Sequence, residues 1–199
     1  MAVKIPPPGA LILLLFLGGA FIHFLRAGAL VLYSRDMSDE RGAVIAEIIF
    51  LIGGTGTVWW LGLFYVPIHL VNGIVAAGLL TASIALYEWA RHTIRGRRFG
   101  VALGDHVPEE LCESGPYRLI RHPLYLAYLV AYLAAFVAIP HWITLGTLAA
   151  AVTLFTYAAR SDESTIATSP LASAYADYRK RASMFWPKVS PAVPGKSTP

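Results

Sequence analysis

The sequence predicts an all-α, polytopic membrane helix bundle with about five transmembrane helices and a cytoplasmic C-terminal helical segment. Three observations carry this. Of 199 residues 56% are hydrophobic and only 14% charged, against roughly 25% charged in a typical soluble domain. Mean hydropathy is +0.58, and the apolar residues fall in long runs almost free of charge, the pattern expected where lipid is the solvent. The single cysteine, Cys112, excludes an intramolecular disulfide and a cysteine-built metal cluster.

A transmembrane helix needs about 20 mostly apolar residues. Gly9–Leu32, Gly42–Val66 and Ile68–Ala90 meet this directly. Leu124–Ile139 and Trp142–Ala159 are shorter, and flanking residues extend them by snorkelling. The second and third spans are separated only around Pro67, the fourth and fifth only by Ile139, Pro140 and His141, so each pair reads as a tight antiparallel hairpin. Neither turn carries Lys or Arg. Fourteen of the sixteen basic residues lie in the other connections: Arg35 and Arg41; Arg91, Arg95, Arg97, Arg98, Arg118 and Arg121; and Arg160, Arg179, Lys180, Arg181, Lys188 and Lys196. The positive-inside rule makes those connections cytoplasmic and starts the N-terminus outside. Topology therefore accounts for the net charge of +4, and no nucleic-acid partner is needed to explain it.

Residues 1–33 read as a mature span and not as a signal peptide, since only Lys4 precedes a stretch longer than a signal core. Residues 1–189 read as a single integral membrane domain, with 190–199, carrying three prolines, as a disordered tail. Gly53, Gly54, Thr55 and Gly56 lie inside an apolar span and do not follow a strand. Close helix packing explains them better than a phosphate loop does. Cys112 has no partner for nucleophilic work within its own segment.

Chemistry falls to two cytoplasmic blocks. The first, Arg91 to His122, ends in GPYRLIRHPLY, from Gly115 to Tyr125. Gly115 and Pro116 make a turn. Pro123 suits the first turn of the fourth span, which puts His122 at a helix N-terminus with Arg118 and Arg121 beside it. Free N–H groups and the positive dipole end suit a carboxylate or phosphate; alternatively the arginines anchor the helix at lipid headgroups and His122 is a cap. In the second block, Arg160 to Pro187, the fifth helix continues past the membrane through Asp162 and Glu163 and breaks at Thr168. Ser169 and Pro170 then resemble an N-cap followed by proline at the first helical position. A helix over Pro170–Ala182 would set Leu171, Ala174, Tyr175 and Tyr178 on one covering face.

The run Gly115, Pro116, Tyr117, Arg118, then Arg121, His122, Pro123, Leu124, Tyr125 resembles the GPYR-x-x-RHPxY signature of the isoprenylcysteine carboxyl methyltransferase and phospholipid methyltransferase superfamily. The acidic pair Asp162 and Glu163 after the next hairpin, the Tyr-x-x-Tyr of Tyr175 and Tyr178, and the closing Phe185, Trp186 and Pro187 extend the resemblance over roughly residues 90 to 188. The resemblance implies an integral membrane methyltransferase using S-adenosylmethionine, bound by residues 91–188 between the helix ends and the C-terminal segment. Tyr117, Arg118, Arg121, His122, Pro123, Tyr125, Asp162, Glu163 and Tyr178 are then the cofactor-binding candidates. His122, Arg121 and the helix N-terminus would hold the cofactor's carboxylate and Glu163 its ammonium, with Tyr125 and Tyr178 lining the pocket. The acceptor would be a lipophilic small molecule or lipidated group entering from the bilayer, with a carboxylate, amine or thiol as nucleophile. No metal is implied. The family commonly has two glutamates where this chain has Asp162 then Glu163, and Thr165 to Ala174 lacks the usual leucine-rich and Phe-Gly pattern.

Arg26, Glu47 and Glu88 are the charged residues inside the spans, all in the predicted cytoplasmic half, and are the substrate-side candidates. The plainer reading pairs Arg26 with Glu47, and Glu88 with Arg91 or Arg95. His23 lies near Arg26, while His69 and His141 lie at the opposite turns. Two alternatives remain at this level: a membrane reductase of the sterol-reductase type using NADPH, and a non-catalytic scaffold or small transporter.

Overall fold

The computed structural model describes residues 69–94 and 110–187. Helix α1 spans Leu70–Ile94, a 3₁₀ turn Gly115–Arg118, α2 Pro123–Ala138, α3 Trp142–Ala167 and α4 Ala172–Arg181. The predicted spans Gly9–Leu32 and Gly42–Val66, with Arg26, Glu47 and the glycine run at 53–56, lie outside the described residues.

Helices α1 and α3 are long and apolar enough to cross a membrane, and only 22% and 28% of their apolar stretches are buried. Leu70, Val71, Ile74 and Val75 on α1 and Trp142, Leu145 and Val152 on α3 are exposed. In water that much uncovered apolar surface is unfavourable; in hydrocarbon it is the expected lipid-facing surface. At 26 residues, α3 is about 39 Å long against a hydrocarbon core of about 30 Å. An α3 that spans a membrane would therefore carry its polar end beyond Ala159, with Asp162 and Glu163, out of the apolar layer.

The buried stripe of α1 is Ala76, Leu80, Ser83, Tyr87 and Ala90, a spacing of four and three that keeps one face against a neighbour. It packs on α2, where Ala127, Ala131 and Ala134 allow close approach. Ser83, fully buried, donates to the Ala127 carbonyl at 2.6 Å. The opposite side of α2 meets α3 through Tyr125, Tyr132, Ala151, Phe155, Ala158 and Ala159. The predicted hairpin at Ile139, Pro140 and His141 is present. There His141 caps α3, its Nδ1 accepting from the Ile143 N–H at 3.2 Å while its own N–H donates to Thr144 Oγ1 at 3.2 Å. A cap is therefore the role of His141 in this fold.

Helix α4 starts two residues later than the predicted Pro170. Ser169 Oγ donates to the Ile166 carbonyl at 2.6 Å and accepts from the Leu171 N–H at 3.1 Å, so the side chain closes the turn that ends α3, and only the Ser169 carbonyl reaches α4, accepting from the Ala172 N–H at 3.0 Å. The first residue after that turn free to go helical is Ala172. The later start also changes the inward face. Tyr175, Tyr178 and Ala182 are buried together, with Ile166 and Leu111 packed on them, and Ala174 points to the exterior.

Candidate active site: a buried carboxylate among cations

Gly115 opens the site. Its backbone is left-handed, with φ +56°, and a Cβ there would lie 2.4 Å from Thr93 Oγ1 and 3.2 Å from Trp89 Nε1. Only glycine meets both the dihedral and the space. The turn it permits buries Pro116 and leads through Arg118 to Ile120, Arg121 and His122, after which α2 begins at Pro123. The C-terminal segment beyond α4 runs alongside. The Arg121 N–H donates to the Ser183 carbonyl at 2.8 Å, the His122 N–H to that of Met184 at 3.2 Å, and Ile120 and Ser183 form a parallel bridge. These two N–H groups are thus committed to the C-terminal segment.

Glu163 lies at the junction. It is the one charged residue buried among the described residues, 7% exposed. Arg121 Nε donates to its Oε1 at 2.9 Å and Arg121 Nη2 approaches the same oxygen at 2.8 Å. His122 Nε2 is 3.2 Å from Oε1; a carboxylate can only accept, so the ring nitrogen is the donor. Arg179 Nε is 3.5 Å from Oε2, its side chain 55% exposed. Arg121 also donates through Nη1 to the Ala182 carbonyl at 2.6 Å. An unpaired carboxylate at this depth would cost several kcal/mol of lost hydration, and these cations offset it.

Asp162, adjacent on α3, points elsewhere, because consecutive helical residues lie about 100° apart. It accepts from Tyr125 Oη at 2.8 Å. The Tyr125 ring stacks on His122, with centroids 5.4 Å apart and planes 5° off parallel. Phe185 also approaches the imidazole, its ring tilted by 58° with centroids 6.3 Å apart. Phe155 backs Tyr125 at 5.6 Å.

The sequence-predicted residues thus divide. Arg121, His122 and Glu163 converge, and Tyr125 and Asp162 form an adjoining pair. Pro123 is buried at the start of α2. Tyr117 and Tyr178 meet as a structural contact, the Tyr178 hydroxyl donating to the Tyr117 carbonyl; burial, the first cause in both, pushes both phenols above their ordinary acidity range. Arg118 is exposed and has no place in the cluster. Glu88 pairs with Arg91 at 2.7 Å, as its plainer reading expected, and lies 3.8 Å from His92. Cys112 is buried, its Sγ 3.5 Å from Ser114 Oγ.

Sequence reasoning placed Tyr175 on the covering face and Phe185 in the closing segment but made neither of them, nor Arg179, a binding candidate. Tyr175 is 4% exposed, and its hydroxyl has no hydrogen-bond partner among the described residues. The signal was present in the spacing: Tyr175 and Arg179, four apart, share a face of α4 with Tyr178.

The sequence model of the phospholipid methyltransferase family matches residues 71–169, from α1 through the RHPLY element and its acidic pair. The chain belongs to that family. It is thereby a member of the superfamily of membrane methyltransferases that also includes the isoprenylcysteine enzymes. The matched region holds Arg121, His122, Asp162 and Glu163 and stops short of α4, so Tyr175, Tyr178 and Phe185 lie outside the matched residues. No curated protein and no solved structure matches the chain.

Proposed function

We propose that this protein transfers a methyl group from S-adenosylmethionine to a lipophilic acceptor dissolved in the membrane, with the cofactor held on the cytoplasmic side by the Arg121, His122 and Glu163 cluster. The observation that carries the proposal is the buried Glu163 carboxylate ringed by cations, where the family's RHP element, the polar end of α3 and the C-terminal segment meet. The donor set fits the group. A methionine end brings one carboxylate and one ammonium, and the site offers guanidinium and imidazole donors beside a carboxylate acceptor, matched in sign and number.

In this reading Arg121 and His122 orient the cofactor's carboxylate and Glu163 its ammonium. Tyr125, fixed by Asp162, and Phe185 pack against the imidazole and keep water from the site. Pro123 starts α2 so that His122 faces inward, while Tyr117 and Tyr178 fasten α4 over the pocket. The cofactor's sulfonium supplies the activated methyl group, so the protein's task is alignment and exclusion of water, and no nucleophilic triad is needed. Arg118 remains a headgroup-facing cation, and Arg26, Glu47 and Glu88 are the acceptor-side candidates. The acceptor reaches the site laterally from the bilayer, the N-terminus lies outside, and the C-terminus is cytoplasmic.

Calorimetric titration of the detergent-purified chain with S-adenosylhomocysteine tests this, with NADPH as a parallel ligand. We expect saturable binding of the homocysteine product and its loss in Glu163→Gln, which keeps the side-chain volume. Binding of NADPH alone, or of neither ligand by folded protein, refutes the reading.

A further inference from the structure

Among the described residues, Tyr175 is the buried polar side chain left unsatisfied. Its hydroxyl is covered, its ring packs edge-on to Tyr178 with centroids 6.0 Å apart, and no partner among the described residues accepts its proton. Buried hydroxyls are normally hydrogen-bonded, and leaving one unpaired costs about 1–3 kcal/mol. Helix α4 could have carried phenylalanine at this position with the same packing. The neighbouring Tyr178 shows the contrast, since its hydroxyl is used within the fold.

The surroundings say what the hydroxyl faces. Burial first, and the nearby Glu163 carboxylate second, push the Tyr175 phenol well above its ordinary range, while Arg121 acts in the opposite direction. Both charged groups are therefore close to the hydroxyl, yet neither meets it at normal hydrogen-bond distance and angle. Glu163 Oε1 is taken by Arg121 and His122, and Arg179 lies toward Oε2. Two guanidiniums and an imidazole thus converge on one carboxylate. A buried O–H donor beside guanidinium groups is suited to an anionic acceptor.

We propose that Tyr175 is a ligand-binding residue whose hydroxyl donates to the carboxylate at the amino-acid end of the methyl donor, alongside Arg121. This rests on the function proposed above and adds to it a contact from α4, outside the family match. In the ligand-free fold the hydroxyl is unsatisfied. With ligand bound it gains a charge-assisted bond, so its contribution appears in affinity and not in stability.

The test is Tyr175→Phe in the full chain, titrated with S-adenosylhomocysteine and with its decarboxylated analogue, alongside thermal unfolding without ligand. The expected result is a loss of affinity for S-adenosylhomocysteine on the order of tenfold or more, the scale of a hydrogen bond to a charged group. Affinity for the decarboxylated analogue should be the same in variant and parent, and the unfolding midpoint unchanged or raised. Equal affinity of variant and parent for S-adenosylhomocysteine overturns the proposal and leaves the methyltransferase reading standing. A lowered midpoint with equal losses for both ligands also overturns it, by making the role structural. Failure of the folded parent to bind S-adenosylhomocysteine overturns both. Should the variant not fold, the parent alone decides: binding of the decarboxylated analogue as tightly as the full ligand refutes a carboxylate contact.

Discussion

Replacing Gly115 by alanine should destabilise the fold by an amount that divides into two parts. The left-handed backbone, φ +56°, costs an L-residue about 1–2 kcal/mol. The new methyl would also sit 2.4 Å from Thr93 Oγ1 and 3.1 Å from Thr93 Cγ2. Thr93 cannot turn aside freely: its hydroxyl donates to the Trp89 carbonyl at 2.8 Å, and rotation would bring the other branch toward the same space. Overpacking of this kind costs about 1–3 kcal/mol, for a total of about 2–5 kcal/mol. The assay is denaturant unfolding in detergent across a double-mutant cycle with Thr93→Ala, which removes both clashing atoms. The pair should recover the packing part and retain the backbone part, a coupling of about 1–3 kcal/mol. A Gly115→Ala variant within about 0.5 kcal/mol of the parent, the range of an unremarkable surface change, would refute the reasoning, as would a cycle with no coupling. Because the same turn feeds Arg121 and His122 into the cluster, affinity for S-adenosylhomocysteine should fall in step with stability.

The remaining predictions are brief. Tyr178→Phe removes the bond to the Tyr117 carbonyl and should cost about 1 kcal/mol of stability while leaving affinity for S-adenosylhomocysteine unchanged; an affinity loss matching that of Tyr175→Phe would contradict the division of roles. Glu163→Ala strands the Arg121 cation, whose side chain is only 9% exposed, and should destabilise by about 3–5 kcal/mol, with Glu163→Gln milder in chemical denaturation. Methyl transfer by folded His122→Ala and Glu163→Gln should be lost, and intact transfer in both would sink the proposed site. Tyr117, Tyr175 and Tyr178 all have pKa values raised in the fold, chiefly by burial. Below the free tyrosine value near pH 10 both folded and unfolded chains keep these protons; above it the unfolded chain releases them first, so stability is full below about pH 10 and falls as pH rises, by about 1.4 kcal/mol per pH unit for each tyrosine. Unfolding followed from pH 9 to 12 should show that slope reduced in Tyr178→Phe.

The sequence made the helices legible because hydropathy and proline report directly on them. Pro140 has no N–H to continue a helix, and the hairpin falls there. The ends were less legible for a physical reason: hydropathy marks where apolar character stops, not where hydrogen bonding does. Helix α1 therefore runs on to Ile94, past the predicted Ala90, as Arg91 and His92 continue the helix and pair with Glu88. Ser169 and Pro170 carry the composition of a helix start, yet the serine hydroxyl is drawn back to Ile166, a competition that local sequence cannot resolve. In the site, the RHPLY element and the acidic pair identified Arg121, His122 and Glu163 as partners. That all three meet at one oxygen, and that the Arg121 and His122 N–H groups hold residues 183 and 184, depends on how the C-terminal segment folds back. Tyr175 and Tyr178 are indistinguishable by spacing, and only the partner of each hydroxyl separates them.

The cluster also explains how a site for a charged ligand can be built without the ligand. An acidic residue awaiting an ammonium and cations awaiting a carboxylate would each be costly if buried alone. Here they neutralise one another: Glu163 satisfies Arg121 and His122, and Arg121 in turn holds the Ala182 carbonyl. A zwitterionic ligand can enter by exchanging partners of like charge, its carboxylate for that of Glu163 and its ammonium for a guanidinium, so the count of paired charges is conserved. The fold at this point rests on the same three side chains that would bind, and a substitution intended to probe binding also removes an anchor of the C-terminal segment. The Tyr175 hydroxyl is exempt from that coupling because, among the described residues, it bonds to nothing. A residue that costs the empty fold a hydrogen bond and returns it only on binding is the one whose substitution can separate recognition from stability.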